Sequence, residues 1–151
     1  MKTRDIMSRE VITAFTDTSI EELAKILTEN NISGVPIVGK DNKVVGIVTE
    51  KDIMYKDVEP RFPPVAEILG GLIYIGGVKE YNSQLKKFVA TSAKEIMTKD
   101  VITVSDDDDI KEVAALMVEH NINRVPVLDS EEKLCGIISR ADIVKFIAKT
   151  L

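Results

Sequence analysis

The 151 residues predict a mixed α/β (α+β) fold built twice over. Two observations carry this. Residues 5–53 and 95–143 align without a gap at an offset of 90, with 19 identities in 49 positions, among them Met7/Met97, Pro36/Pro126, Gly46/Gly136 and Asp52/Asp142. Within each copy the apolar spacing alternates between strand-like runs and one helical face. The chain is therefore a tandem duplication, and each copy reads as strand–helix–strand–strand–helix.

The elements follow in order. Val11 to Phe15 is a short β-rich run. Thr18 opens a helix, with Glu21 three residues on as a capping box. Ile20, Leu23, Ala24 and Leu27 have i, i+3, i+4, i+7 spacing, as do Ile110, Val113, Ala114 and Met117 in the second copy. Two apolar runs come next, Val35–Val38 and Val44–Thr49, joined by the turn-forming Gly39 to Lys43. Val125–Leu128 and Leu134–Ser139 hold the same places in the second copy. A closing helix starts near Glu50 and near Arg140. A unit of about 50 residues buries too little apolar surface to be comfortable alone. The expectation is one module in which the two copies pack face to face with pseudo-two-fold symmetry. Its parts are repeat 1 over 1–57, an inserted connector over 58–94, and repeat 2 over 95–151. In the connector, prolines 60, 63 and 64 and two Gly-Gly pairs break the chain, while Val65 to Leu69 and Lys79 to Val89 are expected to be short helices. Leu72 to Ile75 form an apolar patch suited to self-association, and a homodimer is expected.

Composition narrows the function classes. Lys plus Arg is 20 against 25 for Asp plus Glu, a net charge of −5, and there is no Trp. With no basic run and few aromatics, nucleic acid is a poor partner. The apolar stretch 68–78 holds four glycines and is too short for a bilayer, which needs about 20 residues. The polar first residues resemble no export signal, so the expected location is cytoplasmic. The single cysteine, Cys135, and single histidine, His120, exclude a disulfide framework, a multi-Cys or multi-His metal site and a repeated catalytic set, so neither enzyme activity nor a metal is expected. Both are read as structural, as is Asp106–Asp109, whose charge belongs to a helix start.

The informative polar residues recur in both copies. Thr49 and Ser139 end an apolar strand, and Asp52 and Asp142 follow three residues later in the first helical turn. A hydroxyl with unpaired backbone N–H groups suits a phosphate. A carboxylate accepts two hydroxyl hydrogens, which suits a ribose diol. The same spacing also makes an ordinary helix cap. Arg124, in Asn123-Arg124-Val125-Pro126, offers a planar five-donor fork that fits a phosphate; the first copy has Ser33-Gly34 there.

The pattern Ile-Met-(Ser/Thr), Val-Ile-Thr, Val-Pro and Gly-Ile-apolar-(Thr/Ser)-x-x-Asp-Ile resembles the cystathionine-β-synthase (CBS) domain in both copies, and a tandem pair resembles a Bateman module. The resemblance implies βαββα units whose clefts bind AMP, ADP or ATP, and less often S-adenosylmethionine, as regulatory ligands rather than cofactors. It implies one cleft with Ser139 on phosphate, Asp142 on ribose, Ile137 packing, and the Ile12 backbone on adenine. The mirror cleft would use Thr49, Asp52, Ile47 and Ile102, with Ser33, Asn123 and Arg124 near the phosphates. Arg140 beside Ser139, against Glu50 beside Thr49, is expected to favour the Asp142 cleft. The output would go to another molecule, such as a regulated protein, or to the chain's own oligomer. A second reading, an interaction scaffold with vestigial clefts, has no need of the repeated hydroxyl–carboxylate pair.

Overall fold

The computed structural model describes residues 1–150; Leu151, where the second predicted repeat ends, lies outside them. The elements are β1 (Ala14–Phe15), α1 (Ile20–Glu29), β2 (Gly34–Val38), β3 (Val44–Thr49), α2 (Glu50–Met54), β4 (Val65–Ile68), β5 (Gly71–Tyr74), α3 (Val78–Val89), α4 (Ala93–Ile96), β6 (Val104–Ser105), α5 (Ile110–Glu119), β7 (Arg124–Leu128), β8 (Leu134–Ser139) and α6 (Arg140–Thr150). Three sheets result, ordered β1–β2–β3, β4–β5 and β6–β7–β8.

The duplication is visible in the register. β1 runs parallel to β2 with Ala14 opposite Ile37, and β6 runs parallel to β7 with Val104 opposite Val127. Both pairings sit at the offset of 90. The expected first strand, 11–15, shrinks to two residues. The next backward partner of β2 is Pro36, which has no N–H to donate, so the ladder stops there. Pro126 does the same to β6.

The chain forms two compact units. One gathers Met1–Phe15, Pro36–Ile47 and the chain from Thr98 onward. Its core is Met7, Val104, Ile110, Val113, Met117, Val125, Val127, Ile138 and Ile143. Fully buried Val and Ile side chains of this kind contribute roughly 1.5–3 kcal/mol each. The lead segment is bound into this unit. Thr3, fully buried, donates its N–H and its Oγ1–H to the Asp108 carbonyl at 2.9 and 3.0 Å. Arg4 pairs with Asp107 at 2.7 Å. The acidic run thus anchors the N-terminal segment as well as capping: Asp109 accepts from Lys111 N–H at the start of α5. The Asp109 carboxyl is held below its ordinary range by that backbone bond first of all.

The other unit is Thr16–Val35 and Val48–Met97. α1 buries Ile20, Leu23 and Leu27, as its spacing predicts. Its cap differs from expectation: Ser19, not Thr18, is the N-cap and accepts from Glu22 N–H at 3.2 Å. The lead segment of the second repeat is bound here, with Ala93 N–H on the Thr18 carbonyl (2.8 Å) and Lys94 N–H on that of Thr16 (2.9 Å). In the connector, α3 forms as predicted, but the expected helix at Val65–Leu69 is instead β4. Val65 pairs with Tyr74 and Ala66 with Ile73. Leu69 and Gly70 both take positive φ, 53° and 80°, the two-residue turn whose twist suits a hairpin.

Candidate functional site

β8 delivers Ser139 to the start of α6, where a reciprocal cap forms. Asp142 Oδ2 accepts from Ser139 N–H at 2.8 Å and from Ser139 Oγ at 2.6 Å, and Asp142 N–H donates to Ser139 Oγ at 3.3 Å. This is the ordinary cap weighed from the sequence, and it spends one carboxylate oxygen. The other, Oδ1, makes no hydrogen bond among the described residues. Asp142 is half-buried and lines an open pocket of about 400 Å³ with Met1, Asp5, Ile6, Lys145, Phe146 and Lys149.

Arg124 lies directly opposite Ser139 in the β7–β8 register. Directly opposed residues share a sheet face, so a guanidinium and the hydroxyl stand on the same side. Ile137 belongs to the same strand, and its backbone is bound to Ser8: Ser8 N–H donates to the Ile137 carbonyl and Ile137 N–H to the Ser8 carbonyl, both at 2.9 Å. That fixes the lead segment beside β8 four residues before Ile12. Ile12 is 37% exposed, and its peptide groups make no hydrogen bond among the described residues. Ile12, Arg124, Ile137, Ser139 and Asp142 thus belong to one compact unit. Asn123 does too; its carbonyl accepts from Arg140 N–H at 3.0 Å.

Arg140 does not take the role expected of it. Its Nε donates to the Ile122 carbonyl and one terminal nitrogen to Asn121 Oδ1, both at 3.0 Å. The guanidinium is committed to the end of the turn before β7. The cation set beside Ser139 is Arg124.

In the first repeat, Thr49 and Asp52 form the same cap, with Asp52 Oδ2 accepting from Thr49 N–H (2.9 Å) and Oγ1 (3.1 Å). Asp52 is 4% exposed. Its Oδ1 is held by Lys87 of the connector helix, a partner that the sequence reading missed. Ser33 is half-buried, and its carbonyl accepts from Glu50 N–H at 3.0 Å. Ile102, like Ile12, has peptide groups without a hydrogen bond among the described residues.

The sequence reading also missed the other residues lining the Asp142 pocket. Lys145, Phe146 and Lys149 follow Asp142 at i+3, i+4 and i+7, one helix face, so the signal was present in spacing alone. Cys135 packs against the core, and burial pushes its thiol up, as a structural cysteine requires. No group of three or more potential metal ligands occurs among the described residues. No helix among them is long and apolar enough to cross a membrane.

The repeated strand–hydroxyl–carboxylate arrangement matches a known domain family, whose model fits residues 4–59 and 93–149 as the CBS domain. The chain belongs to the CBS-domain family. It is 31% identical to the uncharacterized protein MJ1426 of Methanocaldococcus jannaschii, over 96% of this chain and 90% of that one. It is 36% identical to an L-aspartate semialdehyde sulfurtransferase of the same organism over 93% of its own length, spanning 22% of that protein. Its fold superposes on the crystal structure of the CBS domain pair of protein MJ0100 in complex with 5′-methylthioadenosine and S-adenosyl-L-methionine, with a TM-score of 0.74, 30% identity and coverage of 100% and 98%. The CBS pair is thus found both as most of a short protein and as a minor part of a longer one.

Proposed function

We propose that this CBS pair is a regulatory sensor that binds an adenosine nucleotide in the unit containing Asp142. The observation carrying the reading is the division of labour at Asp142: Oδ2 completes the helix cap and Oδ1 is uncommitted. A carboxylate oxygen in that state accepts hydroxyl hydrogens from a ribose. Arg124, opposite Ser139, offers a guanidinium for the phosphate, and the Ser139 hydroxyl turns to it by giving up its bond to Asp142 Oδ2. The unpaired Ile12 peptide groups offer one donor and one acceptor, which match the edge of adenine. Ile137 supplies apolar packing. The reading gives AMP, ADP or ATP as ligand, with no chemistry performed on it. A second copy of the chain and a regulated protein are the proposed partners, the cytoplasm the proposed location, and Thr49 with Asp52 a second hydroxyl–carboxylate pair.

Another adenosyl ligand is the alternative, favoured by the two ligands held by the MJ0100 pair. Arg124 distinguishes them, because a guanidinium attracts a phosphate and opposes the sulfonium of S-adenosylmethionine. Calorimetric titration with adenosine, AMP and S-adenosylmethionine tests both. AMP is expected to bind most tightly, and Asp142→Ala to weaken AMP and adenosine alike by at least tenfold, about 1.4 kcal/mol. Unchanged AMP binding by Asp142→Ala rejects the ribose assignment. Tighter binding of S-adenosylmethionine than AMP rejects the phosphate assignment.

A further inference from the structure

The two hydroxyl–carboxylate pairs are alike in sequence and unlike in what reaches them. Asp52 is nearly inaccessible, with 6% of its side chain exposed, and Lys87 has 23% exposed. The Lys87 ammonium pairs with Asp52 Oδ1 and stands 5.3 Å from the centre of the Tyr55 ring. A second lysine works in the opposite direction. Lys56, just past α2, donates from Nζ to the carbonyls of Phe88 (3.0 Å) and Ala90 (2.6 Å) at the end of α3. α3 is therefore fastened beside α2 at two points, one carboxylate and one helix C-terminus. Among the described residues no lysine pairs with Asp142 in this way, and its Oδ1 makes no hydrogen bond.

We infer that Lys87 is a built-in occupant of the first carboxylate, so that each chain takes up one ribose ligand, at Asp142, while α3 stays in place. This rests on the ribose reading of the hydroxyl–carboxylate pair. A ribose diol would meet Asp52 as a neutral donor competing with a cation already in contact. Both bonds have the ionised carboxylate as acceptor, but only the ammonium adds the attraction of an opposite charge. Displacement would also leave the ammonium without its buried partner. The connector helix acts as the closure, and whatever lifts α3 opens a second site.

The test counts AMP bound per chain by calorimetry in the full-length protein. The parent is expected to bind one, weakened at least tenfold by Asp142→Ala. Lys87→Met, which keeps the apolar stem, is expected to bind two, the second surviving Asp142→Ala; Lys87→Arg is expected to bind one. Two AMP per parent chain overturns the closure. So does a single AMP in Lys87→Met, in which case the Asp142 reading stands and only the closure falls. No AMP binding in parent or variant overturns the ribose reading and the closure with it. If Lys87→Met does not fold, as judged by circular dichroism, acetylation of the parent decides. Lys87 is expected to react at least tenfold more slowly than its exposed neighbour Lys86 with or without AMP, and equal rates overturn the closure.

Discussion

Ser8 and Ile137 exchange two backbone hydrogen bonds of 2.9 Å, and Ile47 and Thr98 exchange the matching pair at 3.0 and 2.9 Å. The offset of 90 relates the two contacts, so the lead segment of each repeat is bonded to the last strand of the other. A βαββα repeat of this chain is therefore not a self-contained packing unit.

This relationship makes a folding prediction. A fragment of residues 1–53 keeps Thr3 and Met7 but loses the Asp108 carbonyl and the core they are buried in. It also loses the bonds from Ala93 and Lys94 to Thr18 and Thr16. It is expected to melt without cooperativity, or to dimerise so that a second copy replaces the missing half. Circular dichroism melts with sedimentation check this; a cooperative monomer contradicts it.

The Met7 side chain of the lead segment packs over Gly136 of β8. A Cβ placed there would lie 2.4 Å from Met7 Sδ and 2.9 Å from its Cγ. Gly136→Ala is expected to cost about 1–3 kcal/mol by overpacking. In a Met7→Ala background the same change is expected to cost far less, because the crowding atoms are gone. Urea denaturation of the four proteins of this cycle gives the coupling. Additive effects would show that Met7 is not what restricts position 136.

Arg124 stands opposite Ser139, and the phosphate role proposed for it predicts a graded loss. Arg124→Ala is expected to weaken AMP about tenfold, or ~1.4 kcal/mol, and adenosine by much less. ATP is expected to suffer at least as much as AMP. Calorimetry with the three ligands checks it. Equal losses for adenosine and AMP would make Arg124 a packing residue.

Glu95 secures the start of α4, with Oε2 accepting from the N–H groups of Thr91 (2.7 Å) and Ser92 (3.1 Å). The Thr91 backbone bond, chief among these, holds its carboxyl below the ordinary 4.5. A lowered folded-state pKa stabilises the protein above the unfolded value, and that stabilisation is lost as pH falls through the folded value. The melting temperature of the parent is thus expected to exceed that of Glu95→Gln at pH 6. The gap should close as pH falls below about 4.5. A gap independent of pH would show that the ionised carboxylate is not what matters.

The sequence by itself determined the duplication, the buried faces of α1 and α5, the paired strands and the two hydroxyl–carboxylate pairs, because each is written in local spacing. It also determined, unnoticed, the shortness of β1 and β6: a proline without an N–H cannot extend a ladder, wherever the chain goes next. The Val65–Leu69 segment departs from the expected helix because five residues, four of them apolar, do not discriminate helix from strand; pairing with Gly71–Tyr74 decided it. Only the tertiary structure distinguished Asp52 from Asp142. Their local caps are the same, and what differs is a lysine 35 residues away from Asp52 along the chain. Arg140 likewise looked like the anion's neighbour by sequence adjacency, yet the turn at Asn121 and Ile122 captured it. Adjacent residues on a helix start point in different directions, while residues opposite one another in a sheet, such as Arg124 and Ser139, share a face without being near in sequence.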